Sequence, residues 1–111
     1  MKMYYVTLNN QDEAKTLSHL LLEKQLAVCT NWFPISCAYK WEGEIKNGSE
    51  IVLIIKTKNN LREKIEKEIS KLIHYTNYIA EIDIHSVNHS FLNWLDSEVP
   101  DLDSEVPDHK R

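Results

Sequence analysis

The sequence predicts an α+β fold, a ferredoxin-like split βαβ sandwich with an extended β-hairpin and a short C-terminal helix. Three observations lead there. Period-two and helical apolar patterns follow one another in the order strand, helix, strand, strand, helix, strand, short helix, which is two βαβ-type halves joined by a hairpin. The hairpin stretch, Ala27 to Lys58, contains one Asn47-Gly48 dipeptide, which suits the φ > 0 required at both central positions of a type I′ turn. Its arms are also far longer than the usual strand of about five or six residues. A ribbon of that length overruns the core of a small domain, so its far end calls for a partner surface.

Met3 to Leu8 is rich in aromatic and β-branched residues, which predicts a first strand. Asn10 then suits a helix N-cap, with Glu13 three positions later to complete a capping box. Ala14, Leu17, Leu20, Leu21 and Leu22 form one apolar stripe that continues to about Gln25. The first hairpin arm spans Ala27 to Ile45 and the return arm Glu50 to Lys58, around a turn at Lys46-Asn47-Gly48-Ser49. By alternation, Tyr39, Trp41 and Ile45 share one face of the first arm.

Asn60 and Glu63 predict a second capped helix, with Leu61, Ile65, Ile69 and Leu72 as its apolar stripe and a solvated charged face. His74 to Tyr78 is a loop, Ile79 to His85 a fourth strand, and Asn88 opens a short helix that buries Phe91, Leu92 and Leu95. Both long helices would cover one face of the sheet, leaving the other to water or to a second subunit.

The 111 residues correspond to one domain, placed at 1–96. Residues 97–111 are expected to form a disordered acidic tail, because Leu95-Asp96-Ser97-Glu98-Val99-Pro100-Asp101 is repeated as 102–108 and is polar and Pro-containing. The formal charge of −4 belongs to that end: residues 1–95 carry eleven acids and eleven bases, and residues 96–111 six acids and two bases. A neutral body lacks the footprint of a nucleic-acid or anionic-membrane binder. The longest apolar run, Ile51 to Ile55, is too short to span a bilayer, and without a secretory leader the expected location is cytoplasmic. Cys29 and Cys37 lie on one strand, roughly 26 Å apart at about 3.3 Å per residue, and are free thiols.

Leu26-Ala27-Val28-Cys29-Thr30-Asn31, Tyr39-Lys40-Trp41-Glu42-Gly43, Ile55-Lys56-Thr57 and Phe91-Leu92-Asn93-Trp94-Leu95 together resemble the CutA divalent-cation tolerance family over roughly Met3 to Val99. The resemblance implies a non-enzymatic, cytoplasmic homotrimer whose hairpins extend onto neighbouring subunits. It also implies an architecture like that of PII signalling trimers, with lateral clefts. Two functions follow: weak binding of a divalent cation, copper or zinc, or a signalling or scaffold role in which a small metabolite or a protein binds in the clefts.

The cleft residues implied are Tyr39, Trp41, Lys56, His74 and Glu81, with Glu81 as the expected partner of Lys56. Candidate metal donors are His74 and Cys29, with Cys37 as a substitute, in a site shared across the trimer. His85 and His89 are four residues apart but on different elements, and His19 is a lone helix histidine. Two departures from the family stand out. The loop after the second helix lacks the family's prolines, with His74 one position early, and Leu8 stands where some members have a copper-linked cysteine. Enzymatic readings lack their parts, since the only glycines are Gly43 and Gly48 and there is no Gly-x-Ser-x-Gly or phosphate loop.

Overall fold

A computed structural model describes residues 1–101. The elements are β1 (Lys2–Leu8), α1 (Gln11–Glu23), β2 (Cys29–Trp41), β3 (Glu44–Thr57), α2 (Arg62–Leu72), β4 (Ile79–Asp83) and α3 (His89–Glu98). They build an antiparallel sheet in the order β2-β3-β1-β4, the ferredoxin-like arrangement expected.

Helix α1 starts as its sequence dictates. Asn10 is extended and its side chain accepts from the Glu13 amide at 2.9 Å, while the Glu13 carboxylate reaches back to the Asn9 amide at 2.9 Å. It ends with Gln25 in the left-handed region (φ 58°), where Leu26 N–H donates to Leu21 C=O and Gln25 N–H to Leu22 C=O. Ala14, Leu17, Ser18 and Leu21 face the core, whereas Leu22 falls outside the stripe at 38% exposure. Helix α2 departs from expectation at its start. Asn60 is left-handed (φ 68°), the cap position is Leu61 with no side-chain cap bond, and Leu61 is instead buried.

The hairpin turns at Glu42-Gly43 (φ 51° and 80°), not at Asn47-Gly48. Both turn residues have positive φ, as a type I′ turn needs, but in this ladder Gly48 pairs with Cys37 inside the strand. The core decides between the two. A turn at Asn47-Gly48 would set Leu53 and Ile55 opposite Glu42 and Lys40, whereas the observed register sets them opposite Trp32 and Thr30. Moving the turn also moves Ile45 onto β3, opposite Lys40. It therefore lies on the other side of the ribbon from Tyr39 and Trp41.

The two glycines should respond differently to substitution. Gly43→Ala is expected to cost about 1–2 kcal/mol, because an added Cβ meets nothing within 4 Å but the backbone is left-handed. Gly48→Ala should be tolerated, its Cβ making ordinary contact with Cys37 Sγ at 4.0 Å. Urea unfolding of the two variants checks this.

Tyr4, Val6, Leu8, Leu53 and Ile55 on one sheet face pack against Ala14, Leu17 and Leu21 of α1 and Ile65 and Ile69 of α2. Helix α3 closes the end of this core where β3 finishes, burying Leu95 and, just past its last turn, Val99. Lys58 fixes that end by pairing with Asp96 at 3.3 Å and Asp101 at 3.0 Å. The packed domain therefore runs beyond residue 96, because the first copy of the repeated segment supplies apolar side chains to the core. The second copy lies outside the described residues.

Candidate functional site

Pairing register assigns side chains to the two faces of the sheet, since directly opposed residues share a face. Lys2, Tyr4, Val6 and Leu8 oppose Thr57, Ile55, Leu53 and Ile51 on the helix side. Met3, Tyr5 and Thr7 oppose Lys56, Ile54 and Val52 on the other side, where β2 adds Cys29, Asn31, Phe33, Ile35, Cys37, Tyr39 and Trp41. Neither α1 nor α2 reaches this second face. Phe33 stays exposed on it, as do Tyr39 at 52% and Trp41 at 59%, and Ile82 of β4 lies on the same side. Ile45, across the ribbon, is 74% exposed. The hairpin carries Tyr39, Trp41 and Ile45 away from the body, and the molecule measures 53 × 32 × 22 Å. Large apolar groups grouped on one sheet face and one projecting ribbon are the kind of exposed area that marks interaction sites in proteins generally.

The residues implied as a cleft do not meet within one chain. Tyr39 and Trp41 lie at the hairpin tip, while His74 follows α2 and approaches the Lys71 carbonyl through Nε2 at 3.1 Å. Lys56 and Glu81 are on opposite faces of the sheet, so the ion pair expected between them does not form. The Lys56 ammonium instead sits 5.8 Å from the centroid of the Phe91 ring, a cation–π contact from α3. Glu81 accepts from the Tyr4 hydroxyl at 2.9 Å and faces Lys2 at 3.5 Å, and Lys2 also pairs with Asp83 at 3.3 Å. Burial and the Glu81 carboxylate push the Tyr4 phenol up, so it remains a protonated donor.

The candidate metal donors are similarly scattered. Among the described residues no three His, Cys, Asp or Glu side chains are grouped so as to hold an ion. Cys29 is half-buried, with its thiol directed at the Thr30 carbonyl at 3.8 Å. Burial and the nearby Glu50 charge push the Cys37 thiol up, which makes it a poorer thiolate. Leu8 is fully buried in the core, so its position in the fold offers no surface donor.

The loop 74–78 carries polar work that the sequence reading left unassigned. Tyr75 donates to Glu13 at 2.7 Å and accepts from the Asn9 amide at 2.9 Å, tying the loop to the cap of α1. The Asn77 side chain donates to the Thr7 carbonyl, and the Tyr78 amide to the Thr7 hydroxyl. The helical and alternating patterns around the loop gave no hint of these bonds, because their partners are more than sixty positions away. Burial first, and then the Glu13 carboxylate, push the Tyr75 phenol up to about 12. A phenol raised in the folded state stabilises fully below its unfolded value of about 10 and loses that contribution as pH rises through the folded value. Ultraviolet titration should therefore show two late-ionising tyrosines, Tyr4 and Tyr75, of which Tyr75→Phe removes one, with alkaline destabilisation beginning near pH 10.

Fold and exposed face together define a ferredoxin-like α+β domain with an overlong hairpin. Within that class the chain belongs to the CutA family, its residues 2–98 matching the family model described as CutA1 divalent ion tolerance protein. It is 35% identical over 96 residues to the divalent-cation tolerance protein CutA of Archaeoglobus fulgidus, covering 86% of this chain and 94% of the relative. The crystal structure of CutA1 from Pyrococcus horikoshii superposes with a TM-score of 0.84 at 30% identity, covering 91% of this chain and 100% of that one. The PII-like protein CutA from a Nostoc species matches at a TM-score of 0.79 and 22% identity, covering 89% and 97%, a likeness of fold. The family model and the Archaeoglobus relative are named for divalent ion tolerance and not for a catalysed reaction.

Proposed function

We propose that this chain acts as a non-enzymatic homotrimer associated with tolerance of divalent cations, assembling through the sheet face opposite α1 and α2 and through the hairpin tip. The observation that carries this reading is the set of large exposed side chains on one face and one ribbon, Phe33, Tyr39, Trp41, Ile45 and Ile82. Burying such groups against two neighbours would cover apolar area at about 25 cal/mol per Å². Copper or zinc would then be bound weakly, by donors such as His74 and Cys29 brought together from different subunits. The need for more than one subunit follows from the absence of a three-donor group among the described residues of a single chain. Cytoplasmic residence is part of the same proposal, and no helix among the described residues is long and apolar enough to cross a membrane.

A second reading is a PII-like signalling or scaffold trimer that takes a small metabolite or a protein in clefts between subunits. It is favoured by the placement of Lys56, a cation that follows the apolar run Ile51 to Ile55 of β3 and meets the Phe91 ring. Native mass spectrometry with and without copper or zinc separates the readings. Stoichiometric uptake by a trimer, lost in His74→Ala, supports direct metal binding. A metal-free trimer whose melting temperature rises with an anionic metabolite supports the cleft reading. A monomer at micromolar concentration overturns both.

A further inference from the structure

The ribbon carries one asparagine-glycine dipeptide, Asn47-Gly48, which the fold does not use as a turn, since the chain reverses earlier, at Glu42-Gly43. Both residues lie instead within β3, Asn47 opposite Ala38 and Gly48 opposite Cys37. Pairing of β3 with β1 stops at Ile51, so β2 alone flanks this stretch. Both residues are exposed, and the nearest atom to where a Gly48 side chain would begin is Cys37 Sγ, at 4.0 Å. Every other asparagine of the chain precedes a residue that has a side chain, among them the exposed Asn31 before Trp32 and Asn88 before His89.

We propose that Asn47 is a site of spontaneous deamidation, gated by the pairing of β2 with β3. The Gly48 amide nitrogen gives its proton to solvent and bonds to the side-chain carbonyl carbon of Asn47. The bond from that carbon to Nδ2 breaks, and the leaving nitrogen takes a proton from water to depart as ammonia. Water then opens the five-membered imide at one carbonyl or the other, leaving aspartate or isoaspartate. One water is consumed, one ammonia is released, and nothing is oxidised or reduced. Glycine favours the closure because no Cβ crowds the attacking nitrogen and its backbone is the least restricted. Strand geometry opposes it, since the closed ring needs a ψ at Asn47 well away from the value of about +135° in an antiparallel strand. The ribbon must therefore part before the ring forms, and here it has one neighbouring strand to leave, outside the core, where local opening costs least. Either product puts a new carboxylate on the ribbon. Isoaspartate also adds a carbon to the main chain, which breaks the match of 44–47 with 38–41, so the tip that carries Tyr39 and Trp41 cannot re-pair in its register. Deamidation is thus a one-way mark of ribbon opening, and it depends on the hairpin alone and not on how copies assemble.

Peptide mass mapping of the full chain over time at mildly alkaline pH, with the aspartate and isoaspartate products separated by chromatography, tests both the site and its gate. The expected result is amide-to-acid conversion at Asn47 ahead of Asn31 and Asn88. Gly48→Ala should slow it by at least about tenfold, in folded and unfolded chains alike, which is a barrier higher by about 1.36 kcal/mol. Gly43→Ala, which weakens the turn, should speed it about 5- to 30-fold by raising the open fraction. The wild-type chain in unfolding urea should likewise react faster than the native one, a comparison that needs no variant to fold. Conversion at Asn47 no faster than at Asn31 and Asn88, or unchanged by Gly48→Ala, would overturn the site. Equal rates in native and unfolded chains, or in wild type and a folded Gly43→Ala, would overturn the gate.

Discussion

Replacing Trp41 with aspartate is expected to convert an assembled protein into a monomer or an insoluble one. In a single chain Trp41 is 59% exposed and sits beside the Glu42-Gly43 turn, so the substitution removes little from the isolated domain. In the proposed assembly it places an uncompensated carboxylate where apolar area is buried, next to Glu42 and directly across the ladder from Glu44. Central aromatic anchors are typically worth about 2–4 kcal/mol on truncation, and a trimer loses three of them. Sedimentation or native mass spectrometry reads the oligomeric state, and circular dichroism shows whether the monomer stays folded. Trp41→Phe should keep the assembly. A soluble Trp41→Asp trimer with unchanged melting would place this residue outside the interface.

Val99→Asp is expected to cost roughly 3 kcal/mol or more, because it buries an unpaired charge in a position that is 0% exposed. Val99 belongs to the same core cluster as Leu95, Ile55 and Tyr4, so nothing nearby offers the carboxylate a hydrated route out. Asp101→Asn two positions later makes the contrast. It removes an ion pair to Lys58 whose acid partner is 74% exposed, and should shift stability by less than about 1 kcal/mol. Denaturant midpoints measured at one protein concentration compare the two. Equal effects would mean that residues after Glu98 do not contribute to the core.

The order of the elements and the start of α1 were legible because they depend on neighbours in sequence. Asn10 and Glu13 cap a helix with bonds that span three and four residues. The same local rule failed at α2, where Asn60 and Glu63 repeat the spacing. There the burial of Leu61 in the core set the backbone, and Asn60 took the left-handed conformation instead of capping.

What the sequence by itself determined was the α+β class, the sheet-and-helix succession, the length of the hairpin and the likeness to CutA proteins, all carried by periodicity and by residues in fixed order. Tertiary structure alone decided which of two glycines makes the turn, which side of the ribbon Ile45 occupies and where Lys56 and Glu81 point. It also drew the first copy of the repeated segment into the core through Val99. The reason is physical: Glu42-Gly43 and Asn47-Gly48 are both able to turn a ribbon, and only pairing Leu53 and Ile55 with Trp32 and Thr30 across the sheet distinguishes them. Which face a side chain occupies is then a consequence of that register, fixed by contacts between residues far apart in the chain.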